Sequence, residues 1–152
     1  MTNELDDIFA TDKNAEEDGV WVELTPTIKL KIRAYGAKVV TDLRDKLMKP
    51  YTLLQRSGQK IPDATSERIS LEVIAGAVIV DWTMPGAPQT DADGNPVLDA
   101  DGNPVVTMLP YTPAAAYDTL KRLPRMANFV IGISTDAQFY KNEVTEDGAK
   151  NS

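Results

Sequence analysis

Two pairs of closely spaced carboxylates are the residues that most resemble a chemical site. The sequence Asp-Ala-Asp-Gly-Asn-Pro-Val occurs twice, at residues 91–97 and 99–105. Such spacing suits a calcium loop, but an EF-hand needs further oxygen ligands and a bidentate Glu at its twelfth position, and no acid follows Asp101 before Asp118. Asp-Gly followed by Asn-Pro is typical of turns. We therefore predict an exposed acidic loop or small hairpin within residues 85–110 and no metal site.

The chain contains no histidine and no cysteine. Histidine is the commonest general base near neutral pH and the commonest metal ligand, and cysteine supplies thiolate nucleophiles and zinc or iron–sulfur ligands. Ser134 and Thr135 have no imidazole to activate them, and a hydroxyl without a base is a poor nucleophile. Glycine-rich phosphate loops are also absent from the sequence. We expect a protein that is not an enzyme, with no catalytic residue, no metal and no cofactor.

The formal charge of −7 is unevenly distributed. Residues 1–18 carry seven acids and one lysine, the loop at 85–103 carries four aspartates, and the rest sums to +3, with nine bases between residues 29 and 60. A nucleic-acid-binding protein would show a denser basic stripe with interleaved aromatic residues, and the acidic residues 1–18 would repel the phosphates of a nucleic acid. The start also lacks the basic and apolar runs of an export signal. We expect a cytoplasmic protein with no nucleic-acid or membrane partner.

Residue patterns divide the 152-residue chain into one domain with two polar ends. Residues 1–18 have few large apolar groups and are predicted to form a flexible acidic tail; residues 19–145 form a single helical domain, and 146–152 a frayed C-terminus. Within 19–33, Val20 and Val22 begin one alternating run, and Leu30 and Ile32 end another. This predicts a β-hairpin with one apolar and one basic face, and the apolar face must pack on helices because a lone hairpin is marginal in water.

After Gly36 the apolar period becomes helical, and Pro50 ends that helix. A short helix over 51–56 and a linker over 59–65 follow. Residues 67–82, capped by Asp63 or Ser66, contain eight consecutive apolar residues at 73–80, which suit a helix or a buried strand; length favours the helix. Pro113 and Pro124 each begin a later helix. The predicted fold class is mainly α, a small helical domain with an N-terminal β-hairpin packed on the helices.

Candidate partner-binding residues are Trp21 on the hairpin and Phe129 and Ile133 on the last helix. The alternative is structural. Trp21 and Trp82 both lie beside apolar neighbours in regular elements, which is typical of core residues, and an amphipathic stripe usually faces the core of its own domain.

The order of several short motifs resembles the tail assembly chaperones of siphophages, the bacteriophages with long non-contractile tails. The motifs are Gly19-Val20-Trp21-Val22, Lys49-Pro50-Tyr51, Asp81-Trp82, Pro110-Tyr111-Thr112-Pro113 and Ala149-Lys150-Asn151-Ser152. The resemblance covers residues 19–152, each motif being short and of low specificity. The duplicated acidic loop is longer than this family leads us to expect.

The resemblance implies a non-catalytic bacteriophage protein that acts in the host cell cytoplasm and is absent from the mature virion. It would bind and solubilise the tape measure protein and help recruit subunits of the major tail tube protein. It also implies self-association and a longer form made by ribosomal frameshifting, for which A-rich codons at Lys150 and Asn151 would be the slippery site. Two alternatives stay open: a structural head-tail or tail-completion protein retained in the virion, and a regulator of a host protein.

Overall fold

A computed structural model describes residues 4–141, apart from the side chain of Asp7. The predicted frayed end at 146–152 lies outside these residues. The elements in chain order are α1 (Glu4–Phe9), α2 (Lys13–Asp18), β1 (Val20–Glu23), β2 (Lys29–Ile32), α3 (Lys38–Met48), a 3₁₀ turn (Lys49–Tyr51), α4 (Thr52–Arg56), α5 (Asp63–Val73), a π turn (Ile74–Val78), β3 (Ile79–Thr83), β4 (Pro85–Pro88), β5 (Val106–Met108), α6 (Pro113–Arg122), α7 (Pro124–Ser134) and a second 3₁₀ turn (Ala137–Tyr140).

The predicted N-terminal hairpin is confirmed. β1 and β2 pair antiparallel, with Val22 opposite Leu30 and Trp21 opposite Lys31. β3 adds to the other edge of β2, so that the three-stranded sheet has the order β1-β2-β3 with β2 in the middle. Leu30 and Ile32 are fully buried, which places the inner face of the hairpin against the helices as the alternation predicted.

The apolar run at 73–80 is helical only in its first part, so the predicted helix over 67–82 is wrong at its C-terminal end. α5 passes into the π turn, and from Ile79 the chain is extended as β3. The hydroxyl of Tyr111 lies 2.7 Å from the carbonyl oxygen of Ala75 and 2.8 Å from that of Ile79 and donates to them. Arg33 Nη1 donates to the carbonyl of Ala77 at 2.9 Å. Distant side chains thus take the place of the helical donors that this switch to strand removes.

The acidic loop forms a second sheet, β4 paired antiparallel with β5. Three residues spaced by eight form a closed ring of backbone hydrogen bonds: Gln89 N donates to Val105 O at 2.8 Å, Val97 N to Gln89 O at 3.0 Å, and Val105 N to Val97 O at 2.8 Å. Between them, Asp91 Oδ1 accepts from the backbone amides of Asp93 and Asn95, both at 2.9 Å. The second repeat reproduces these side-chain contacts. The turn prediction for the duplicated sequence is therefore confirmed.

The predicted fold class, mainly α, is wrong. Helix makes up about 52% of the structure and strand about 18%, in two small sheets, so the fold is mixed α/β. Two additions to the predicted hairpin account for the strand content. The open edge of β2 recruits Ile79–Thr83 as a strand, and the repeats of the acidic loop close into β structure instead of irregular coil.

Helices α3, α5, α6 and α7 share a single core with the three-stranded sheet. Pro113 and Pro124 begin α6 and α7 as predicted, and Thr112 Oγ1 accepts from the amide of Ala115 at 3.0 Å as the N-cap of α6. The predicted caps of α5 are wrong, because Pro62 occupies its N-cap position without a side-chain hydrogen bond. The buried core includes Leu30, Ile32, Val40, Val73, Ile74, Val78, Ile79, Leu120 and Val130.

The N-terminal segment, predicted as a flexible tail, contains α1 and α2 in its described part. α2 is joined to the body at several points. Glu16 O accepts from the amide of Ala34 at 3.0 Å, and Glu17 O accepts from Arg33 Nε at 2.7 Å. The mobility of residues 1–18 and the domain boundaries stay predictions.

Candidate partner-binding site

The three predicted partner-binding residues differ in exposure. Trp21 is 51% exposed and Phe129 39% exposed, whereas Ile133 is 8% exposed and belongs to the core. Trp82, which the same sequence pattern placed beside apolar neighbours, is only 6% exposed. The two tryptophans therefore have different environments, and Trp21 presents half of its surface to solvent.

Trp21 faces outward because of the strand alternation that buries its neighbours. In β1, Val20 and Val22 are half-buried while Trp21 and Glu23 are exposed. On β2, Lys31 lies opposite Trp21 and Lys29 opposite Glu23. The outer face of the hairpin thus carries an aromatic ring among charges of both signs, in place of the basic face that the sequence predicted.

A groove of about 610 Å³ runs along one side of Trp21. Its second large apolar group is Phe139, which is 41% exposed. On the other side of the indole a smaller groove of about 380 Å³ is lined by Glu23, Lys29 and Thr83. We call the larger one the aromatic groove; its lining residues are Asp12, Asn14, Ala15, Asp18, Gly19, Val20, Trp21, Gln138, Phe139 and Lys141.

The α2 wall of the aromatic groove is fixed by backbone and cap hydrogen bonds. Asp12 caps α2, its Oδ1 accepting from Asn14 N at 2.9 Å and from Ala15 N at 3.3 Å. The amide of Asp12 donates to Tyr140 O at 2.6 Å, which ties α2 to the second 3₁₀ turn. At the end of α2, Gly19 adopts a φ of +91°, a conformation that L side chains rarely adopt, and turns the chain directly into β1. The wall and Trp21 are therefore held in one arrangement.

On the opposite wall, the Phe139 side chain points to solvent because the next residue, Tyr140, is buried in the core. Tyr140 is 2% exposed, and its hydroxyl donates to Ile32 O at 3.1 Å. Burial raises the pKa of Tyr140 well above its ordinary value, since ionisation would place a charge in the core. Asp136 restarts the turn by accepting from Gln138 N at 2.9 Å. Adjacent residues of a 3₁₀ turn point in different directions, so that Phe139 reaches solvent.

Acidic side chains predominate among the charges of the aromatic groove. Asp12 and Asp18 line it from α2, against one base, Lys141. The preceding segment adds to this field, because residues 1–18 carry a net charge of −6. An apolar surface within a negative field favours an amphipathic partner that carries lysine or arginine beside its apolar residues.

Phe129 and Ile133 do not share this groove. Both lie on α7, and Phe129 is exposed on a surface that includes none of the residues around Trp21. Sequence reasoning missed Phe139, because the apolar stripe through Phe129 and Ile133 continues at helical spacing to Ala137 and Tyr140 and does not include it. The signal that would have found it is Asp136, an N-cap residue that ends the α7 register at Thr135 and begins a new turn.

Metal-ligand groups and membrane-spanning helices are both absent from the part of the chain that the structure describes. Within residues 4–141, no group of three or more histidine, cysteine, aspartate or glutamate side chains could hold a metal ion. None of the helices in that part of the chain combines the length and apolar character needed to span a bilayer.

Comparison with known proteins identifies the origin of the chain. The family model described as YdaY prophage protein matches residues 35–151, which is more than three quarters of the sequence. No curated protein and no solved structure matches the chain. The matched region begins at Tyr35, after the hairpin, and includes α3 to α7 together with the acidic loop. The chain is thus a phage-derived protein and belongs to the YdaY prophage protein family.

Proposed function

We propose that this protein is a tail assembly chaperone, which binds and solubilises the tape measure protein and helps recruit subunits of the major tail tube protein. The observation that carries this proposal is the pairing of two exposed aromatic side chains, Trp21 and Phe139, in one groove whose α2 wall is acidic. The phage origin of the family and the order of the sequence motifs support the same function.

The aromatic groove has the character of a helix-binding surface. Tryptophan and other aromatic residues are enriched among the residues that dominate binding energies, and an amphipathic helix binds by laying apolar residues into such a groove. Trp21 and Phe139 each retain about 100 Å² of surface for a partner to cover, which is worth about 2.5 kcal/mol per side chain. Because association itself costs several kcal/mol, a contact built on two such anchors is weak per copy, which permits displacement of the client by tube subunits.

The charges of the protein suit a client that would otherwise aggregate. A long helical protein with exposed apolar faces is insoluble alone, and each bound copy of this chain adds net negative charge to the complex. The proposed function includes no catalysis or cofactor. It places the protein in the host cell cytoplasm during assembly and outside the mature virion.

Co-expression with the tape measure protein of the same prophage tests this function. We expect the intact chain to keep the tape measure protein soluble and to copurify with it. The double variant Trp21→Ser/Phe139→Ser should leave most of it insoluble. Leu53→Ser is the matched control, since Leu53 is a 76% exposed apolar residue on α4, away from the groove.

Two results would reject the proposal. One is an insoluble tape measure protein in the presence of the intact chain, with both proteins well expressed. The other is a stoichiometric amount of the chain in purified virions by mass spectrometry, which would favour a structural tail-completion protein. A host protein recovered in place of the tape measure protein would favour a regulator.

A further inference from the structure

An apolar groove separate from the aromatic groove lies between α3 and α6. Both helices pack on the segment formed by α5 and the π turn, so this segment is the floor of the groove and the two helices are its walls. The volume of the groove is about 480 Å³, which lies within the range of about 300–1,000 Å³ typical of binding sites. We call it the interhelical groove; its apolar lining includes Leu43, Leu47, Ala75, Gly76, Ala114 and Tyr117.

The shape of the interhelical groove suits a helix. Its floor is made of small residues, Ala75 and Gly76, and the exposed Ala114 lies at the start of the α6 wall. Leu43 on α3 and Tyr117 on α6 are partly buried and pack against the core, which holds the walls in place. The axes of packed helices lie about 8–10 Å apart, at a distance set by the side chains at the contact. Alanine and glycine between two helical walls therefore allow a third helix to approach closely.

The charged residues that line the interhelical groove are both acids. Glu72 lies on α5 and Asp118 on α6, and none of the described lining residues is a lysine or arginine. Glu72 accepts a hydrogen bond from Arg68 Nη1 at 3.1 Å and is paired with it. Asp118 is exposed and forms no ion pair within residues 4–141, although Arg122 follows one turn later on α6. The electrostatic complement of this groove is thus a partner that brings a positive charge to Asp118.

We propose that the interhelical groove binds an amphipathic helix of another protein, one that places apolar residues in the groove and a lysine or arginine beside Asp118. Apolar residues spaced three, four and seven apart on such a helix would contact Leu43, Leu47 and Tyr117. The positive charge would fix the orientation of the helix and select among partners. Residues 1–18 of this chain, with a net charge of −6, do not match the groove.

This inference goes beyond the proposed function and does not depend on it, because the two grooves have no lining residue in common. The aromatic groove also favours a basic amphipathic partner. The test therefore uses the Trp21→Ser/Phe139→Ser variant of the full chain, in which that groove has lost its two aromatic anchors. The probe is a labelled synthetic peptide, long enough to form a helix in water at about 15 residues or more, with leucines on one face and lysines beside them. A control peptide carries glutamate in place of every lysine.

Fluorescence anisotropy of the labelled peptide measures binding, and amide chemical shifts of the isotope-labelled protein locate it. We expect one lysine peptide per chain, with the largest shift changes around Leu43, Gly76 and Tyr117. The glutamate peptide should bind at least roughly tenfold more weakly, because it brings like charge to both acids of the groove.

Two further substitutions in the same variant make the test specific. Ala114→Trp fills the interhelical groove from an exposed position, so the fold should be retained, and it should weaken binding by roughly a hundredfold. Asp118→Lys, also at an exposed position, reverses the unpaired charge and should weaken binding by roughly tenfold. Leu53→Ser, at an exposed apolar residue of α4, should leave the affinity unchanged.

Several outcomes would overturn the inference. One is the absence of binding by the lysine peptide, and another is equal affinity for the two peptides. Binding that neither Ala114→Trp nor Asp118→Lys weakens, in variants whose circular dichroism is native, would place the peptide on a different surface. Dimers of the peptide-free chain that Ala114→Trp abolishes would show that a second copy occupies the groove. Each of these outcomes leaves the proposed role of the aromatic groove untouched, since its anchors are absent throughout.

Discussion

The substitution Tyr111→Phe tests how the chain switches from helix to strand after the π turn. The ring of Tyr111 packs edge-on against Trp82, with centroids 5.5 Å apart and an interplanar angle of 84°. Its hydroxyl donates to the carbonyls of Ala75 and Ile79, which lie on either side of the point where the helical pattern ends. Phenylalanine keeps the ring contact and removes only this donor.

The expected loss of stability is about 2 kcal/mol. A hydrogen bond contributes a net 0.5–1.5 kcal/mol, roughly, and a buried group left unsatisfied costs about 1–3 kcal/mol. A single hydroxyl proton serves both carbonyls, so the two costs do not double. For a chain of this length, 2 kcal/mol corresponds to a fall in Tm of about 4–8 °C.

Denaturant unfolding followed by far-UV circular dichroism measures this loss, with an unchanged m-value as evidence that the compactness of the end states is preserved. Tyr51→Phe is the matched control. The Tyr51 hydroxyl accepts a hydrogen bond from Arg68 Nη2 at 3.1 Å on the exposed surface, so its removal should change stability by less than about 0.5 kcal/mol. If Tyr111→Phe costs no more than Tyr51→Phe, the hydroxyl does not hold the switch.

Three further predictions follow from the fold. Burial raises the pKa of Tyr140 and of Tyr111, so both tyrosines ionise at lower pH in the unfolded chain than in the folded one. Their contribution to stability should be constant below about pH 10 and fall above it by up to about 1.4 kcal/mol per pH unit for each tyrosine. An unfolding midpoint that stays flat above about pH 10 would contradict this. Gly86→Ala would place a Cβ 2.7 Å from the carbonyl oxygen of Thr107. Because this contact is too close, the substitution should lower the free energy of unfolding by about 1–3 kcal/mol. An unchanged denaturation curve would mean that β4 and β5 move apart without cost. Deleting residues 91–98 removes one repeat and leaves the other to close the turn. The free energy of unfolding should therefore change by less than about 1 kcal/mol. Failure of this variant to fold would assign the duplicated loop a structural role.

The sequence patterns predicted those elements that neighbouring residues determine. The alternation in 20–32 predicts the hairpin, and Pro113 and Pro124 predict the starts of α6 and α7. The switch at Ile79 could not be predicted in this way, because it depends on the free edge of β2 and on donors from Arg33 and Tyr111, which are distant in sequence.

The candidate site shows the same division. Exposure of Trp21 follows from strand alternation, although the apolar neighbours in sequence favoured the core for both tryptophans. The partner of Trp21 across the groove, Phe139, lies far away in the sequence. Their proximity arises from α2, which bridges β1 and the second 3₁₀ turn through the hydrogen bond between Asp12 and Tyr140. The spacing of apolar residues along the sequence cannot predict a contact between segments so far apart.

Acrylamide quenching of tryptophan fluorescence tests the proposed client groove most directly, because Trp21 is half exposed and Trp82 is buried. The titrant is a tryptophan-free helical fragment of the tape measure protein. We predict that the readily quenched fraction, which belongs to Trp21, becomes protected as the fragment binds. Binding of the fragment with no change in this fraction would contradict the account.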